Sequence, residues 1–572
     1  MKRNILALAL GATVLAPVGV GAKSETGPGD TAAYLIAKTA ERHSDYARAS
    51  EAWQSVLSAS AFREDVAESA ISNALNAGDM TAAIALSKEL AARGHESQIA
   101  ALALVVDMAQ RGAWTELADG LADGLSVGPL VNGLAKGWAA AGIGRADEAS
   151  EAFDRVASTP GLRTFGLMHK AYALGALGDD VAAEMVWGKG DGGKPLRLSR
   201  QSALARIAGL ARIGREGAAV AVLDKLFDGS GDAGAAALRD AILRGEVPGP
   251  AISDARMGIA ETFLAVAAAL KGEATDGYTL LYTRAATYLM PASESGLILQ
   301  AQLLGNLGLH EEALATWRAV PEGSAWITAR LGAAEELRAL GRSEEAIGVL
   351  SQLAATRTAT DSVHLALGDA LRASGRLDEA VAAYDSAVAA ADPDEVPWRT
   401  LFARGIALER SGHWDAAKAD LRRALAAAPE EPNVLSYLGN AMARRGEALA
   451  EALILVETAA AAKPENGLIA DSVGWVLHRM GLHDRAVTNM ERAVSLLPGD
   501  SSVNDHLGDG YWAIGREREA RFQWRRALDF ATEPSEIARI RAKLEKGPVA
   551  EEAAAARLES VAPSELAATV QP

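Results

Sequence analysis

The sequence predicts an all-α protein in which pairs of helices stack in a row. Hydrophobic residues make up 49% of the 572 residues but aromatic residues only 5%, and alanine, the strongest helix former, dominates the apolar share. Glycine and alanine also recur at fixed positions with a spacing of about 34 residues. Such a period is typical of helical solenoids, whose repeats bury their apolar faces against their neighbours.

Composition and charge exclude several classes of protein. With 57 lysines and arginines against 74 aspartates and glutamates, the net charge is −17, whereas general nucleic-acid binding needs clustered cations. We therefore expect no nucleic-acid partner. The chain has no cysteine, which excludes disulfides, cysteine-ligated zinc, iron–sulfur clusters, thiol nucleophiles and the lipid-attachment cysteine of a lipoprotein.

The first residues have the layout of a secretory signal peptide at 1–22. A basic start precedes an apolar run at 5–20, and small residues at 20–22 suit cleavage before Lys23. An uncleaved N-terminal anchor is the alternative, but the run is short and is interrupted by proline and glycine. We expect an exported, periplasmic protein that is not a lipoprotein and has no transmembrane span after cleavage.

The repeat is clearest over residues 361–532, where five consecutive copies share one pattern. A glycine in the first helix lets two helices cross closely, a second glycine ends that helix, and an alanine lies early in the second helix. The crossing glycines are Gly368, Gly405, Gly439, Gly474 and Gly508, and the alanines are Ala380, Ala417, Ala452, Ala486 and Ala520. This pattern resembles the tetratricopeptide repeat (TPR). The resemblance implies a right-handed superhelical solenoid of about 14 TPR-like helical hairpins with a C-terminal capping helix.

The rest of the chain divides by composition into further segments. Degenerate TPR-like repeats are predicted over 23–227, an irregular glycine- and proline-rich insertion over 228–255, and further repeats over 256–533. A helix at 534–546 is predicted to cover the exposed end of the array. The alanine- and glutamate-rich residues 547–572 are predicted to form a mobile tail.

No catalytic constellation is found, so we expect no enzyme, no cofactor and no bound metal. The nine histidines are scattered, and none has the spacing of a helical zinc motif. His478 and His483 flank one turn and His506 lies one repeat further on, which leaves a zinc site as an alternative to polar groove residues. A cryptic enzyme in the 228–255 insertion is a second alternative, although this insertion holds no nucleophile–base pair.

The resemblance implies that the first helix of each hairpin, helix A, lines a concave groove in which a partner binds. In the last repeats, polar and aromatic residues occupy the inward positions of helix A, and arginines recur one repeat apart at the groove edge. The predicted partner-binding residues are Asn440, Asp471, Trp475, His478, Asp505, Asp509, Trp512, Arg410, Arg444 and Arg479. The tryptophans would anchor a ligand, and the arginines would bind carboxylates. Packing between repeats is the alternative for the tryptophans, and pairing with acidic residues of adjacent repeats is the alternative for the arginines.

The blocks 469–477 and 503–512 are similar to segments of exported, envelope-associated TPR proteins of Gram-negative bacteria. The similarity implies a non-enzymatic periplasmic scaffold or adaptor. Such a protein binds a peptide or protein partner and assists the assembly or regulation of a cell-envelope complex, for example one with a processing protease. The alternative is a structural component of an export or polysaccharide machinery, because fold alone does not decide function.

Overall fold

In a computed structural model, the described residues form thirty α-helices and no strand. These residues are 28–59, 62–190, 196, 198–227, 233–356, 359–392 and 395–548. The all-α TPR solenoid predicted from the sequence is confirmed. The predicted signal peptide at 1–22 and residues 549–572 of the predicted tail lie outside the described residues.

The chain divides into two compact units, Met1–Val349 and Leu350–Pro572. The helices of the first unit are Pro28–Arg42, Tyr46–Ala59, Glu64–Ala77, Met80–Ala92, Gln98–Arg111, Trp114–Ala122, Pro129–Ile143, Ala146–Ser158, Arg163–Ala176, Asp180–Lys189, Arg200–Arg212, Glu216–Phe227, Ala233–Leu243, Ala255–Leu270, Asp276–Leu289, Glu294–Asn306, His310–Arg318 and Trp326–Ala339. Helix Ser343–Ala354 contains the division. The helices of the second unit are Asp361–Ala373, Leu377–Ala390, Trp398–Arg410, Trp414–Ala427, Pro432–Arg444, Leu449–Ala462, Gly467–Arg479, His483–Leu496, Ser501–Ala513, Glu517–Phe530 and Pro534–Lys546.

This division differs from the segments drawn from the sequence. It lies inside 256–533, which the sequence analysis takes as one array, and the 228–255 insertion belongs to the first unit. The described part of that insertion contains the single helix Ala233–Leu243. Apart from this helix and Pro534–Lys546, the described helices follow one another as fourteen hairpins, in agreement with the predicted number.

Each hairpin of the second unit is held together where its two helices cross. The alanines early in the second helices are completely buried, and so are the large residues at the centres of those helices, Tyr384, Leu421, Val456, Met490 and Trp524. A Cβ built on Gly474 would lie only 2.6 Å from Met490 Cγ. One built on Gly508 would lie 2.3 Å from Trp524 Nε1. The repeat pattern therefore encodes close helix packing.

A glycine in the left-handed region ends helix A in these hairpins. Gly481 has φ +76°, and its backbone N–H donates to the carbonyl oxygen of His478 at 3.0 Å. The N–H of Leu482 donates to the carbonyl oxygen of Leu477 at 2.9 Å. This is a Schellman-type ending, which glycine adopts without strain. It reverses the chain so that the next helix packs back on helix A.

In the first unit, the helices Ala255–Leu270 and Asp276–Leu289 form a hairpin that packs against the helices A of four repeats. We call it the inserted hairpin. The helices A that it contacts are Glu64–Ala77, Gln98–Arg111, Pro129–Ile143 and Arg163–Ala176. Gly258 of the inserted hairpin lies so close to buried Trp138 that a Cβ there would be 2.1 Å from Trp138 Cδ2. Arg284 Nε donates to the carbonyl oxygen of Asn76 at 3.2 Å. The first unit thus covers this face with its own chain.

The helix Pro534–Lys546, the capping helix, follows the last hairpin of the second unit. It begins with proline at its first turn, a position where the missing N–H has no partner to lose. Its Ile540 and Lys543 are buried, and Ser501 Oγ of the neighbouring helix A donates to Glu536 Oε1 at 2.9 Å. The capping helix therefore packs against the helix A that precedes it.

Candidate functional site

A stack of aromatic rings joins two neighbouring helices A of the second unit. Trp475 stacks on His506 of the next repeat, with ring centroids 4.3 Å apart, and on His478 of its own helix at 5.4 Å. Asp471 Oδ2 and His506 Nδ1 form a hydrogen bond of 2.7 Å. Asp471, Trp475 and His478 are spaced by four and three residues, so they share one helix face. The structure thus brings three of the predicted residues together and adds His506.

Burial and charge give the two histidines of the stack opposite pKa shifts. Burial lowers the pKa of His478 to about 3, and neighbouring cationic groups add to this effect. Burial also acts to lower the pKa of His506, but the adjacent Asp471 carboxylate outweighs it and the pKa is raised. Trp475 therefore lies between a ring that burial keeps neutral and a ring whose charged form the Asp471 carboxylate stabilises.

Three polar atoms of the stack are buried and have no hydrogen-bond partner among the described residues. They are Asp471 Oδ1, Trp475 Nε1 and His478 Nδ1. Asp471 is only 5% exposed, whereas the Trp475 side chain is partly accessible. All three atoms are shielded from solvent by the surrounding side chains.

The structure corrects the expected exposure of Asp505 and Asp509. Asp505 is 0% and Asp509 7% exposed, because Lys543 of the capping helix donates to both carboxylates, at 3.0 and 2.6 Å. Arg539 of the same helix also pairs with Asp505. The expectation that these two aspartates line an open wall of the groove is therefore wrong. Their charge is neutralised within the chain.

Burial and the cationic neighbours also separate the pKa values of these two aspartates. Burial raises the pKa of Asp509 to about 6, although Lys543 opposes the shift. Burial acts in the same direction on Asp505, but Lys543 and Arg539 outweigh it and lower its pKa. Asp505 is therefore the carboxylate that keeps its charge down to lower pH.

Trp512 lies at the end of the array, partly buried against other parts of the chain. Its ring centroid is 5.4 Å from that of fully buried Trp524, and the Arg521 guanidinium lies 5.2 Å from its ring. A Cβ built on Gly547, just after the capping helix, would be 2.6 Å from Trp512 Cζ2. These surroundings favour a role in packing between repeats for Trp512, and they favour it more than the surroundings of Trp475 do for that residue.

The three predicted arginines differ in how they are paired. Arg444 donates to Glu409 Oε1 and to Asn440 Oδ1, both at 3.3 Å, as the pairing alternative predicts. Arg479 donates to the carbonyl oxygen of Ala443 at 3.2 Å. Arg410 is exposed, and neither it nor Arg479 has a carboxylate partner in the described part of the chain.

Asn440 links two helices A rather than standing alone. Its Nδ2 donates to Ser472 Oγ at 3.1 Å, and Ser436 Oγ donates to the same oxygen at 3.1 Å. Leu468, two turns before Trp475 on the same helix, is 54% exposed. It occupies an inward position of helix A, but it was not among the predicted partner-binding residues.

The sequence analysis also missed Lys543 and Arg539 as partners of the aspartates. The available signal was their spacing. Arg539 follows Asp505 by one repeat period, as does Lys543 after Asp509. That spacing marks the capping helix as one more helix A in register with the array.

Two further findings bear on the chemistry of the chain. Within the described ranges, no group of three or more histidine, aspartate or glutamate side chains is placed to hold a metal ion, and His478, His483 and His506 do not form such a group. In the same residues, no helix combines the length and apolarity needed to cross a membrane.

Comparisons with known proteins show what this architecture is similar to. Residues 331–395 and 402–467 match the model of the tetratricopeptide repeat family. These two stretches carry tetratricopeptide repeats. The TPR repeat-containing protein PA4667 of Pseudomonas aeruginosa is 28% identical over 212 residues, which are 36% of this chain and 35% of that protein. The chain thus spans about a third of that relative's length.

Solved structures similar to this TPR chain are more distant. The Cut9–Hcn1 hetero-tetramer of the APC/C aligns with 91% of this chain and 96% of the matched chain, at 14% identity and a TM-score of 0.38. A tetratricopeptide repeat protein from Parabacteroides merdae aligns with 44% of this chain and 98% of its own, at 16% identity and a TM-score of 0.37. TPR repeats mediate protein–protein interaction, and TPR proteins are generally non-enzymatic scaffolds.

Proposed function

We propose that the second unit is a scaffold that binds a segment of a partner protein on its helix A face. The observation that carries the proposal is the ring stack. Trp475 is partly accessible and is held in place by two histidine rings, and exposed Leu468 lies two turns before it on the same helix. A rigid, partly exposed tryptophan is typical of a binding hot spot.

Site-specific photo-crosslinking tests this proposal. A photo-reactive amino acid at Leu468 should crosslink one or a few defined proteins in the cells that make this chain. Ile454, which lies on a second helix and is 61% exposed, gives the matched control and should crosslink none of them. Purified candidates should then bind the full chain directly. Identical products from both positions would contradict the proposal.

The variant Trp475→Ala should weaken that direct binding by at least about thirtyfold, since loss of a hot-spot anchor typically costs 2 kcal/mol or more. The helix content measured by circular dichroism should stay nearly unchanged. The double variant Trp475→Ala, Trp512→Ala should abolish partner recovery, but Trp512 also packs on Trp524. Loss of folding only in the double variant would assign Trp512 to packing and leave Trp475 as the anchor.

We further propose that this binding takes place in the periplasm and serves the assembly or regulation of a cell-envelope complex. The basic start, the apolar run at 5–20 and the small residues at 20–22 support export. Cell fractionation followed by N-terminal sequencing should find Lys23 as the first residue in the soluble periplasmic fraction. Recovery of Met1-containing protein in the membrane fraction would contradict the proposal.

A further inference from the structure

Four carboxylates on the helix A face of the second unit are already paired with other side chains of the same chain. Asp505 and Asp509 form salt bridges with Lys543, and Asp471 forms a hydrogen bond with His506. Glu409 is shared by Arg444 and Arg445, with Arg445 Nη1 at 2.9 Å. No ligand therefore meets a free negative charge at these four residues.

Cations on the same face are left without such neutralisation. Arg410 and Arg479 have no carboxylate partner in the described residues, and Arg444 shares its single partner Glu409 with Arg445. We call Arg410, Arg444 and Arg479 the arginine ladder, because they occupy the same position in three consecutive helices A. An accessible cationic row is unusual in a chain with a net charge of −17 and indicates a negatively charged ligand.

The spacing of the ladder restricts the form of that ligand. Packed helices lie about 8–10 Å apart, so the outer arginines of three neighbouring helices A are separated by roughly 20 Å at their backbones. One terminal carboxylate cannot contact both. A peptide in the extended polyproline II conformation advances about 3.1 Å per residue and has three residues per turn. Roughly three residues therefore match one step of the ladder, and every third side chain points to the same side of the peptide.

We propose that the arginine ladder binds an extended acidic peptide segment whose side-chain carboxylates recur at about every third residue. The apolar residues between them contact Leu468 and Trp475. Paired guanidinium and carboxylate groups fix the register of the segment, and the ring stack supplies contact area. This inference rests on the proposed function, because it names the kind of segment that the helix A face takes.

Fluorescence anisotropy with the full chain and synthetic peptides tests the inference. The first peptide has twelve residues, an amidated C-terminus, and glutamate at every third position among leucine and serine. The second has the same composition with its glutamates clustered at one end, and the third replaces glutamate by lysine. We expect the spaced peptide to bind at least tenfold more tightly than the clustered one and the lysine peptide not to bind. Affinity for the spaced peptide should fall as NaCl is raised, because exposed charges are screened.

Charge reversal assigns the binding to the ladder. Arg410→Glu and Arg479→Glu should each weaken binding of the spaced peptide at least tenfold. The control Arg525→Glu, on an exposed position of a second helix, should change it less than twofold. Equal affinity for the spaced and clustered peptides, or unchanged binding by both ladder variants, would overturn the inference. If Trp475→Ala still weakens binding of a crosslinked partner in that case, the helix A face remains the binding site and only the acidic specificity is wrong.

Discussion

The two units are built from the same kind of helical hairpin, but the helix A face is covered in the first unit and exposed in the second. In the first unit the inserted hairpin packs over the helices A of four repeats. In the second unit the helices A keep Leu468 and Arg410 exposed, and only the last of them is covered by the capping helix. The difference teaches that a repeat fold does not by itself leave a face open for a partner. The side chains that face away from the second helix decide whether the chain covers itself.

The composition of single helices shows this directly. In helix Gln98–Arg111, eight of the residues from Ala100 to Ala109 are buried, which is typical of a helix packed on more than one side. In helix Asp361–Ala373 only Val363, Gly368, Ala370 and Leu371 are buried. The first helix needs a cover on its helix A face, and the inserted hairpin supplies it.

The largest expected effect comes from breaking that cover. Gly258→Leu forces a side chain into fully buried Trp138, whose ring atoms would lie 2.1–2.3 Å from a Cβ. We expect a loss of about 3 kcal/mol or more in unfolding free energy, at the upper end for overpacking. Hydrogen exchange should accelerate in the inserted hairpin and in the helices A that it contacts, while the second unit stays protected.

The control for this prediction is Gly249→Leu, because a Cβ on Gly249 meets nothing within 4 Å. It should leave exchange unchanged in both units. If the amide hydrogens of the Gly258→Leu variant exchanged at the same rates as those of the control, the inserted hairpin would not be the element that holds the first unit together.

A smaller and more local effect is expected from overpacking a hairpin of the second unit. Gly474→Leu places a side chain against Met490 Cγ and the Ala486 carbonyl oxygen, at an expected cost of roughly 1–3 kcal/mol. Because energies in repeat arrays are close to sums over neighbours, faster exchange should be confined to this hairpin and the adjacent ones. Gly439→Leu and Gly508→Leu should act likewise in their own hairpins. The exposed Ala513→Leu is the control, and a uniform loss of protection over both units would contradict locality.

A buried carboxyl group in the inserted hairpin makes the stability of the first unit depend on pH. Glu261 is 8% exposed, and burial raises its pKa to about 7. Its contribution to stability is present below its unfolded pKa of about 4.5 and is lost as pH rises through 7, since the folded state must then hold a buried charge. Glu261→Gln should therefore raise the stability of the first unit by about 1–3 kcal/mol at pH 8 and leave it nearly unchanged at pH 4.

Thermal unfolding followed by hydrogen exchange at both pH values would check this expectation. The control variant Glu335→Gln, which removes an exposed carboxyl group, should leave the free energy of unfolding unchanged at both pH values. If Glu261→Gln did not raise the free energy of unfolding at pH 8, the ionised carboxyl group would not destabilise the inserted hairpin.

How far the sequence predicted this molecule depends on whether a feature repeats. The hairpins followed from glycine and alanine at fixed spacing, because the close crossing at Gly474 or Gly508 tolerates nothing larger. The pairing of Lys543 with Asp505 and Asp509 was not predicted, since the capping helix lacks the glycine pattern that marks the other helices A. The cover over the first unit was missed for a different reason. Contacts between Gly258 and Trp138 join residues far apart in the chain, and no local pattern encodes them.

The smallest expected effect concerns the bond between Asp471 and His506, which joins two repeats of the second unit. Burial acts to lower the pKa of His506, but Asp471, with Asp505 and Asp509, raises it above the usual value of 6.5. A histidine whose pKa is raised on folding stabilises the fold fully below about pH 6.5, and this contribution is lost as pH rises through the folded pKa. The second unit should therefore lose stability as pH rises from 7 through the folded pKa of His506, by on the order of 1 kcal/mol.

This pH window isolates His506 from its titrating neighbours. Asp509, with a pKa of about 6, is already charged above pH 7, and His478, with a pKa of about 3, is neutral there in both the folded and the unfolded state. In chemical denaturation, His506→Gln should reduce the fall in the free energy of unfolding between pH 7 and pH 9. The control His413→Gln, at an exposed histidine, should leave that fall unchanged. Both substitutions lie in the second unit, so hydrogen exchange in the first unit over the same window should be equal in the two variants. An unchanged decline in His506→Gln would show that the bond to Asp471 does not couple these repeats.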